Sequence, residues 1–283
     1  MPHYLLDYED FKDSYEHNED YYEIVRDKVA PFILRRRKED VLKDLPEKYE
    51  VIITTEMSQE QRKLYDAFRL QAKEQLKSSE SGSKIMEVLS IITRLRQICV
   101  DPSTFVDNFV GESGKITALK EIITEKLEEG HRFLIFSQFV SALNIVKDEI
   151  EKMGIKYFMI TGDTSAKDRL KICNEFNTNE EYKIVLISLK AGGTGLNLVG
   201  ADVVVHLDPW WNYSAESQAS DRAHRIGQTR TVEVVKLIAE NSIEEKVVNL
   251  QNEKKELVDK VISDNDSSIK SLSIKDLKSI LSM

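Results

Sequence analysis

Two cysteines in 283 residues, Cys99 and Cys173, cannot make a disulfide framework. Neither has a nearby cysteine or a CxxH partner, so no zinc site is expected either, and a reducing, cytosol-like compartment fits. Positive charge is also short. Forty Lys and Arg stand against 49 Asp and Glu, a formal net charge of −9. No whole-molecule field then draws the chain onto DNA or an anionic membrane, and any nucleic-acid contact must come from a local patch. No apolar run approaches the roughly 18 residues that span a bilayer, so no membrane partner is expected. The acidic amino terminus is unlike a signal or transit peptide. There is no internal repeat. What remains is 41% apolar and 31% charged, ordinary for a soluble chain with room for more than one domain.

Residues 1–23 are acidic, tyrosine-rich and aperiodic, like a segment of something larger. FILRRRKEDVLKDLP at 32–46 mixes a basic run with apolar positions. YEVIITTEM at 49–57 alternates like a strand. Ser58 with Gln61 makes a capping box for a helix to about Lys77. SSESGS at 78–83 reads as a connector. A second helix at 84–100 carries the stripe Ile85, Leu89, Ile92, Leu95 and Ile98, and Asp101-Pro102 ends it. From Lys115 the pattern changes. Helices at 115–129, 139–153 and 165–177 alternate with apolar strands at 132–137, 157–160, 183–188, 202–207 and 231–238. This predicts an α/β fold, a doubly wound, mostly parallel sheet, with a mainly helical amino-terminal extension. Ser242 with Glu245 predicts another capped helix striped by Ile243, Val247, Leu250, Leu257 and Val261. A linker at 263–268 and a short helix near 274–281 follow.

Ligands of open α/β sheets sit beyond the strands' carboxyl ends. FSQF at 136–139, TGDT at 161–164 and SLKAGGTGLNLVGAD at 188–202 are the unusual loops there. In the last, Gly192, Gly193 and Gly195 allow close backbone approach and Thr194 adds a hydroxyl. The alternative is a tight turn requiring positive φ. Ser188 and Lys190 before the glycines and Asn197 after them favour phosphate contact. DPWWN at 208–212 places Trp210 and Trp211 side by side. Either one is exposed to stack on a base, or both cover the sheet's end. QASDRAHRIGQ at 218–228 spaces Gln218, Arg222 and Arg225 for one helical face, where guanidinium forks suit a polyphosphate. Salt bridges to Asp221 or Glu216 are the plainer use of such arginines. His224 points away from that face and reads as a structural hydrogen-bonder.

A nucleotide-binding GxxxxGK[ST] loop is missing. The one Gly-Lys pair, Gly114-Lys115, has Phe109 where the first glycine belongs and Ile116 where Ser or Thr belongs. No acidic quartet follows an apolar strand, so no Mg²⁺ site is apparent. The arginines imply a nucleotide that the chain is not equipped to hold alone.

Almost the whole chain resembles the carboxyl-terminal half of the Swi/Snf-type chromatin-remodelling ATPases, a branch of the superfamily-two helicases. FILRRRKEDVLKDLPEK, RLRQICVDP, SGKITAL, FLIFSQF and ITGDTSAKDR carry part of it. VLISLKAGGTGLNLVGADVVVHLDPWWN and QASDRAHRIGQTR are its longest and most specific blocks. The resemblance implies a second RecA-like motor lobe facing an amino-terminal ATPase lobe. That first lobe would hold most of the ATP and its Mg²⁺. Arg222 and Arg225 would be arginine fingers, and Gln218, Gly193 and Gly195 would meet the nucleotide. Ser137, Gln138, Gly162, Thr164, Lys190, Thr194, Asn197 and Trp211 would contact double-stranded DNA or nucleoprotein. The expected divisions are 1–48, the end of the first lobe and linker; 49–113, a helical insertion; 114–240, the lobe; and 241–283, a brace helix and tail. Abundant Lys, Ile, Glu and Asn hint at an AT-rich genome and a bacterial, nucleoid-associated protein rather than a nuclear one. A non-enzymatic adaptor that keeps the fold is the alternative, and a self-sufficient P-loop NTPase is disfavoured by the failed motif.

Overall fold

A computed structural model describes residues 45–77, 82–192 and 195–261, with Asp10, Lys28 and Ala30–Phe32. The terminal segment 1–9, most of 32–46, the last predicted helix, and Gly193 and Thr194 lie outside the described residues. Strands β1 (Lys48–Thr55), β2 (Phe133–Ser137), β3 (Lys156–Ile160), β4 (Tyr182–Ser188), β5 (Val203–His206) and β6 (Val232–Ala239) form one sheet in the order β1-β6-β5-β2-β4-β3. Every pairing is parallel. β1, grouped by sequence with the helical extension, is the sheet's edge strand, bonded to β6 along its full length.

The helices are α1 (Gln59–Lys77), α2 (Gly82–Val100), α3 (Gly114–Glu128), α4 (Val140–Lys152), α5 (Ala166–Thr178), the single turn α6 (Leu189–Gly192), α7 (Tyr213–Ser220) and α8 (Ile243–Val261). Strand side chains alternate between two cores, as period two requires. Phe133, Ile135, Leu186 and Val205 meet α3 and α4 through Leu119, Ile123, Leu143 and Val146. Leu134, Phe136, Val185 and Val204 meet α5 and α7 through Phe176 and Ala219. A third core joins α1, α2 and α8 through Tyr65, Leu95, Ile98 and Ile243. The sheet is thus covered on both faces and flanked by a helical extension, as the periodicity predicts.

Local signals act as the sequence implies. Ser58 N–H donates to Gln61 Oε1 at 3.3 Å, and Gln61 N–H donates to Ser58 Oγ at 3.2 Å, a reciprocal capping box. At α8 the box is shifted by one residue. Ser242 Oγ accepts from Glu244 N–H and Glu245 accepts from Asn241 N–H. α7 is shorter than predicted. It ends at Ser220, so only Gln218 of the expected triad is helical and Arg222 and Arg225 lie in the turns beyond. There Arg222 and Ala223 N–H reach only three residues back, to Ala219 and Ser220. The Arg222 carbonyl accepts from Leu198 N–H and so is drawn off the helix axis, and Gly227 turns the chain with φ +104.

The Gly-Lys pair has a structural role. A Cβ at Gly114 would lie 1.8 Å from the Glu56 carbonyl oxygen, so glycine alone lets α3 start against the end of β1. Lys115 is fully buried and bonds Glu244 (2.6 Å) and the Leu207 carbonyl (2.7 Å). Lys115→Met would strand the Glu244 carboxylate in the interior. Urea unfolding is expected to show a loss of about 3–5 kcal/mol, much of it recovered when Glu244→Gln is added.

Candidate functional site

The strand order sets where a site belongs. The chain runs out from β2 to β3 and back to β4, then crosses β2 to reach β5. The switch point lies between β2 and β5, and the loops leaving those two strands, 137–139 and 207–211, flank it.

Arg222 and Arg225 lie beside this rim. Arg222 Nε–H donates to the Gly192 carbonyl at 3.0 Å, which ties it to the glycine loop. Burial lowers its pKa, as does the neighbouring Arg225 charge, while Asp221 opposes both. The Arg225 backbone bonds Ala223 and Gln228, but its guanidinium is exposed and has no hydrogen bond or ion pair with a described residue. Of the nearby carboxylates, Asp221 pairs with Lys48 at 3.1 Å and Glu216 with Lys236 at 3.1 Å. Gln218 is exposed on α7. His224 donates from Nε2 to the Pro46 carbonyl at 2.8 Å, the structural role the sequence suggests.

In the glycine loop, Lys190, Gly195 and Asn197 are exposed. Gly192 and Gly195 are not among the glycines with positive φ, so the tight-turn alternative does not account for them. Gly192 is needed because a Cβ would sit 3.0 Å from the Phe136 ring. A Cβ at Gly195 or Gly162 would meet nothing within 4 Å, so packing does not demand glycine at either. In the TGDT turn, Thr164 Oγ1 accepts from Thr161 N–H at 3.0 Å, and Arg169 clasps the Thr161, Gly162 and Thr164 carbonyls.

Ser137 does not face solvent. It is fully buried, its hydroxyl donates to Asp208 Oδ1, and its oxygen accepts from Phe139 N–H at 3.0 Å. Gln138 is half-buried, and its Nε2 is itself buried without a partner, so meeting a phosphate would need the side chain to turn outward. Trp210 and Trp211 are both half-buried around the Arg96 guanidinium, whose carbon lies 5.8 and 5.0 Å from their rings. Both pack at the sheet's end and both keep part of their surface in solvent, so neither alternative for the pair is excluded.

The sequence reading missed the buried ionic groups beneath these loops. Arg96 is 3% exposed against Asp208 at 0%, and Lys236 is 3% exposed against Glu216 at 1%. Desolvation pushes the Asp208 carboxyl up and the Arg96 guanidinium down. One signal was available for Arg96: it follows Leu95 and stands four after Ile92, at the margin of the α2 stripe. Among the described residues, no group of three His, Cys, Asp or Glu could hold a metal.

The model of the helicase conserved C-terminal domain matches residues 114–227, and that of the SNF2-related domain matches residues 1–104. The Sulfolobus solfataricus SWI2/SNF2 ATPase C-terminal domain is 31% identical with TM-score 0.67, covering 83% of this chain and 98% of that one. This chain belongs to the SWI2/SNF2 ATPase family. The Sulfolobus SWI2/SNF2 ATPase core in complex with double-stranded DNA is 34% identical with TM-score 0.69, covering 99% of this chain and 61% of that one. An uncharacterised ATP-dependent helicase of Mycoplasma genitalium is 39% identical over 98% of this chain, which spans 27% of its length. A putative helicase/translocase of Bacillus subtilis is 35% identical, and this chain spans 28% of it. The sheet is the RecA-like lobe of this ATPase family, a helicase/translocase domain. None of its described helices is long and apolar enough to cross a membrane.

Under α7 of this SWI2/SNF2 lobe lies a cavity of about 250 Å³, bounded by Lys48, Glu50, His206, Tyr213, Glu216 and Lys236. The Ser220 hydroxyl donates to the Glu216 carbonyl, so it accepts from His206 Nε2–H at 2.9 Å. Burial first, then the Lys236 charge, lowers the His206 pKa to about 3. The fold therefore holds a neutral imidazole that the unfolded chain protonates below its ordinary value of 6.5. Its stabilisation is complete above pH 6.5 and lost as pH falls from there towards 3. Between pH 7 and pH 5 the protein is expected to lose about 2 kcal/mol more than His206→Gln does, read from urea midpoints at the two pH values. The buried carboxylates with raised pKa act in the opposite direction in both proteins and leave the difference intact.

Proposed function

We propose that this chain is the second lobe of an ATP-driven double-stranded-DNA translocase. Arg222 and Arg225 act as its arginine fingers. The observation that carries this reading is Arg225: an exposed guanidinium without a described partner, beside an Arg222 held to the glycine loop. A hydrated guanidinium beside a second like charge is mildly repelled in the isolated lobe, which suits a group meant to meet anions across a cleft.

ATP with Mg²⁺, held mainly by a first lobe, supplies the phosphoryl transfer whose growing charge the two guanidiniums neutralise. Gln218, Gly193 and Gly195 are the residues proposed to meet the nucleotide. Gln138, Gly162, Thr164, Lys190, Thr194 and Asn197 grip phosphates of the duplex, and the exposed edge of Trp211 lies against it. Ser137 shapes the first loop from inside. Contacts of this kind carry no base code, so translocation is largely independent of sequence. Closure of the cleft around ATP and its release after hydrolysis ratchet the duplex past the two lobes. The isolated chain is expected to hydrolyse no measurable ATP. The bacterial relatives suit a cytoplasmic, nucleoid-associated setting.

The chain rejoined to a first lobe is expected to show duplex-stimulated hydrolysis, and Arg225→Ala is expected to lower it by about 10³-fold or more, since arginine fingers contribute 10³–10⁵. If Arg222→Ala and Arg225→Ala both left turnover intact, the lobe would be a non-enzymatic adaptor that keeps the fold.

A further inference from the structure

Residues 207–210 form a loop at the switch point, yet they are held atom by atom. Leu207 N–H donates to the Phe136 carbonyl, and the Leu207 carbonyl takes the Lys115 ammonium. Asp208 Oδ1 accepts from the Ser137 hydroxyl and, at 3.3 Å, from Gln138 N–H. The Pro209 carbonyl accepts from Arg96. Trp210 N–H donates to Glu216 and its carbonyl accepts from Gln251. Five side chains from α2, α3, α7, α8 and the neighbouring loop thus converge on four residues.

Arg96 has the widest reach of the five. One of its terminal nitrogens bonds both the Asp208 carboxylate (3.5 Å) and the Pro209 carbonyl. Its guanidinium also lies 5.7 Å from the Phe139 ring, in the other switch-point loop, besides its contacts with Trp210 and Trp211. Its Nε has no partner. A residue serving only to neutralise Asp208 would not need to touch an aromatic on each side of the switch point.

We propose that Arg96 is a positioning residue for DNA contact: through Asp208 it locks the 137–139 loop and the 207–211 loop into one register, so that Gln138 and Trp211 meet the duplex together. This rests on the translocase reading above. The helical extension then does more than flank the lobe. α2 sets the spacing of two loops borne by strands β2 and β5, with no contact of its own to the nucleic acid.

The test uses the full-length protein and a blunt duplex of fixed length. Arg96→Met with Asp208→Asn removes both charges, which spares the fold a stranded ion. Arg96→Lys keeps the charge but loses the planar group that lies among three rings. The half-saturating duplex concentration for ATPase stimulation is expected to rise about tenfold in the double variant, with the rate at saturating duplex changed by less than about threefold. Arg96→Lys should fall between it and the unaltered protein. A half-saturation within about twofold of the unaltered protein, with only the melting temperature lowered, would make Arg96 a structural counter-ion and overturn the proposal. Absence of duplex stimulation in the unaltered protein would instead remove the translocase reading, and this inference with it.

Discussion

The carboxyl rim of the sheet depends on three cations withdrawn from water. Arg96, Lys115 and Lys236 are each at most 3% exposed, and each faces a carboxylate at least as deeply buried: Asp208, Glu244 and Glu216. Such pairs add little net stability, because desolvation offsets most of their attraction. What they add is uniqueness of position. A leucine in place of Lys115 could pack in several ways, whereas an ammonium bonded to both Glu244 and the Leu207 carbonyl fixes α3, α8 and the end of β5 relative to one another. Lys236 does the same on the opposite face, joining β6 to Glu50 of β1 and Glu216 of α7.

These pairs explain why the amino-terminal segment belongs with the lobe. β1 is bonded to β6 along the sheet edge, Glu50 reaches Lys236, Lys48 reaches Asp221, and Pro46 accepts from His224. The last two links end at Asp221 and His224, next to Arg222 and Arg225. The stretch 45–50 is thus tied directly to the turns at 221–225 that carry the two guanidiniums.

How far the sequence foretold this follows from the range of each interaction. Strand alternation, the Ser58–Gln61 box and the stripe of α2 involve residues at most a few positions apart, and they are legible because the backbone's own periodicity writes them. The membership of β1 in the sheet was not legible, since its partner lies more than 180 residues away and a strand's pattern does not name its neighbour. The end of α7 was missed for a similar reason. Nothing in ESQASDRAHR forbids another turn, and it is the Arg222 carbonyl's bond to Leu198 that draws the chain aside. Motif residues were found because they occur in unusual local runs. Arg96, Lys115 and Lys236 look like ordinary surface residues until the elements that bury them are assembled.

That contrast bears on how the lobe divides its arginines. Arg96 and Arg225 have the same chemistry and opposite surroundings. Arg96 is enclosed by a carboxylate, a carbonyl and three aromatic rings. Arg225 stands in solvent with no described partner, beside the Arg222 charge that repels it. Enclosure converts a guanidinium into a fixed strut, because moving it would expose Asp208 to the interior uncompensated. Exposure leaves the other free to follow an anion, with its electrostatic demand unmet. On the proposed translocase reading, the lobe uses both states of one side chain: loops that hold their spacing, and exposed cations that gain most of their stabilisation only when an anion faces them. Burial, rather than residue type, assigns each arginine to one task or the other.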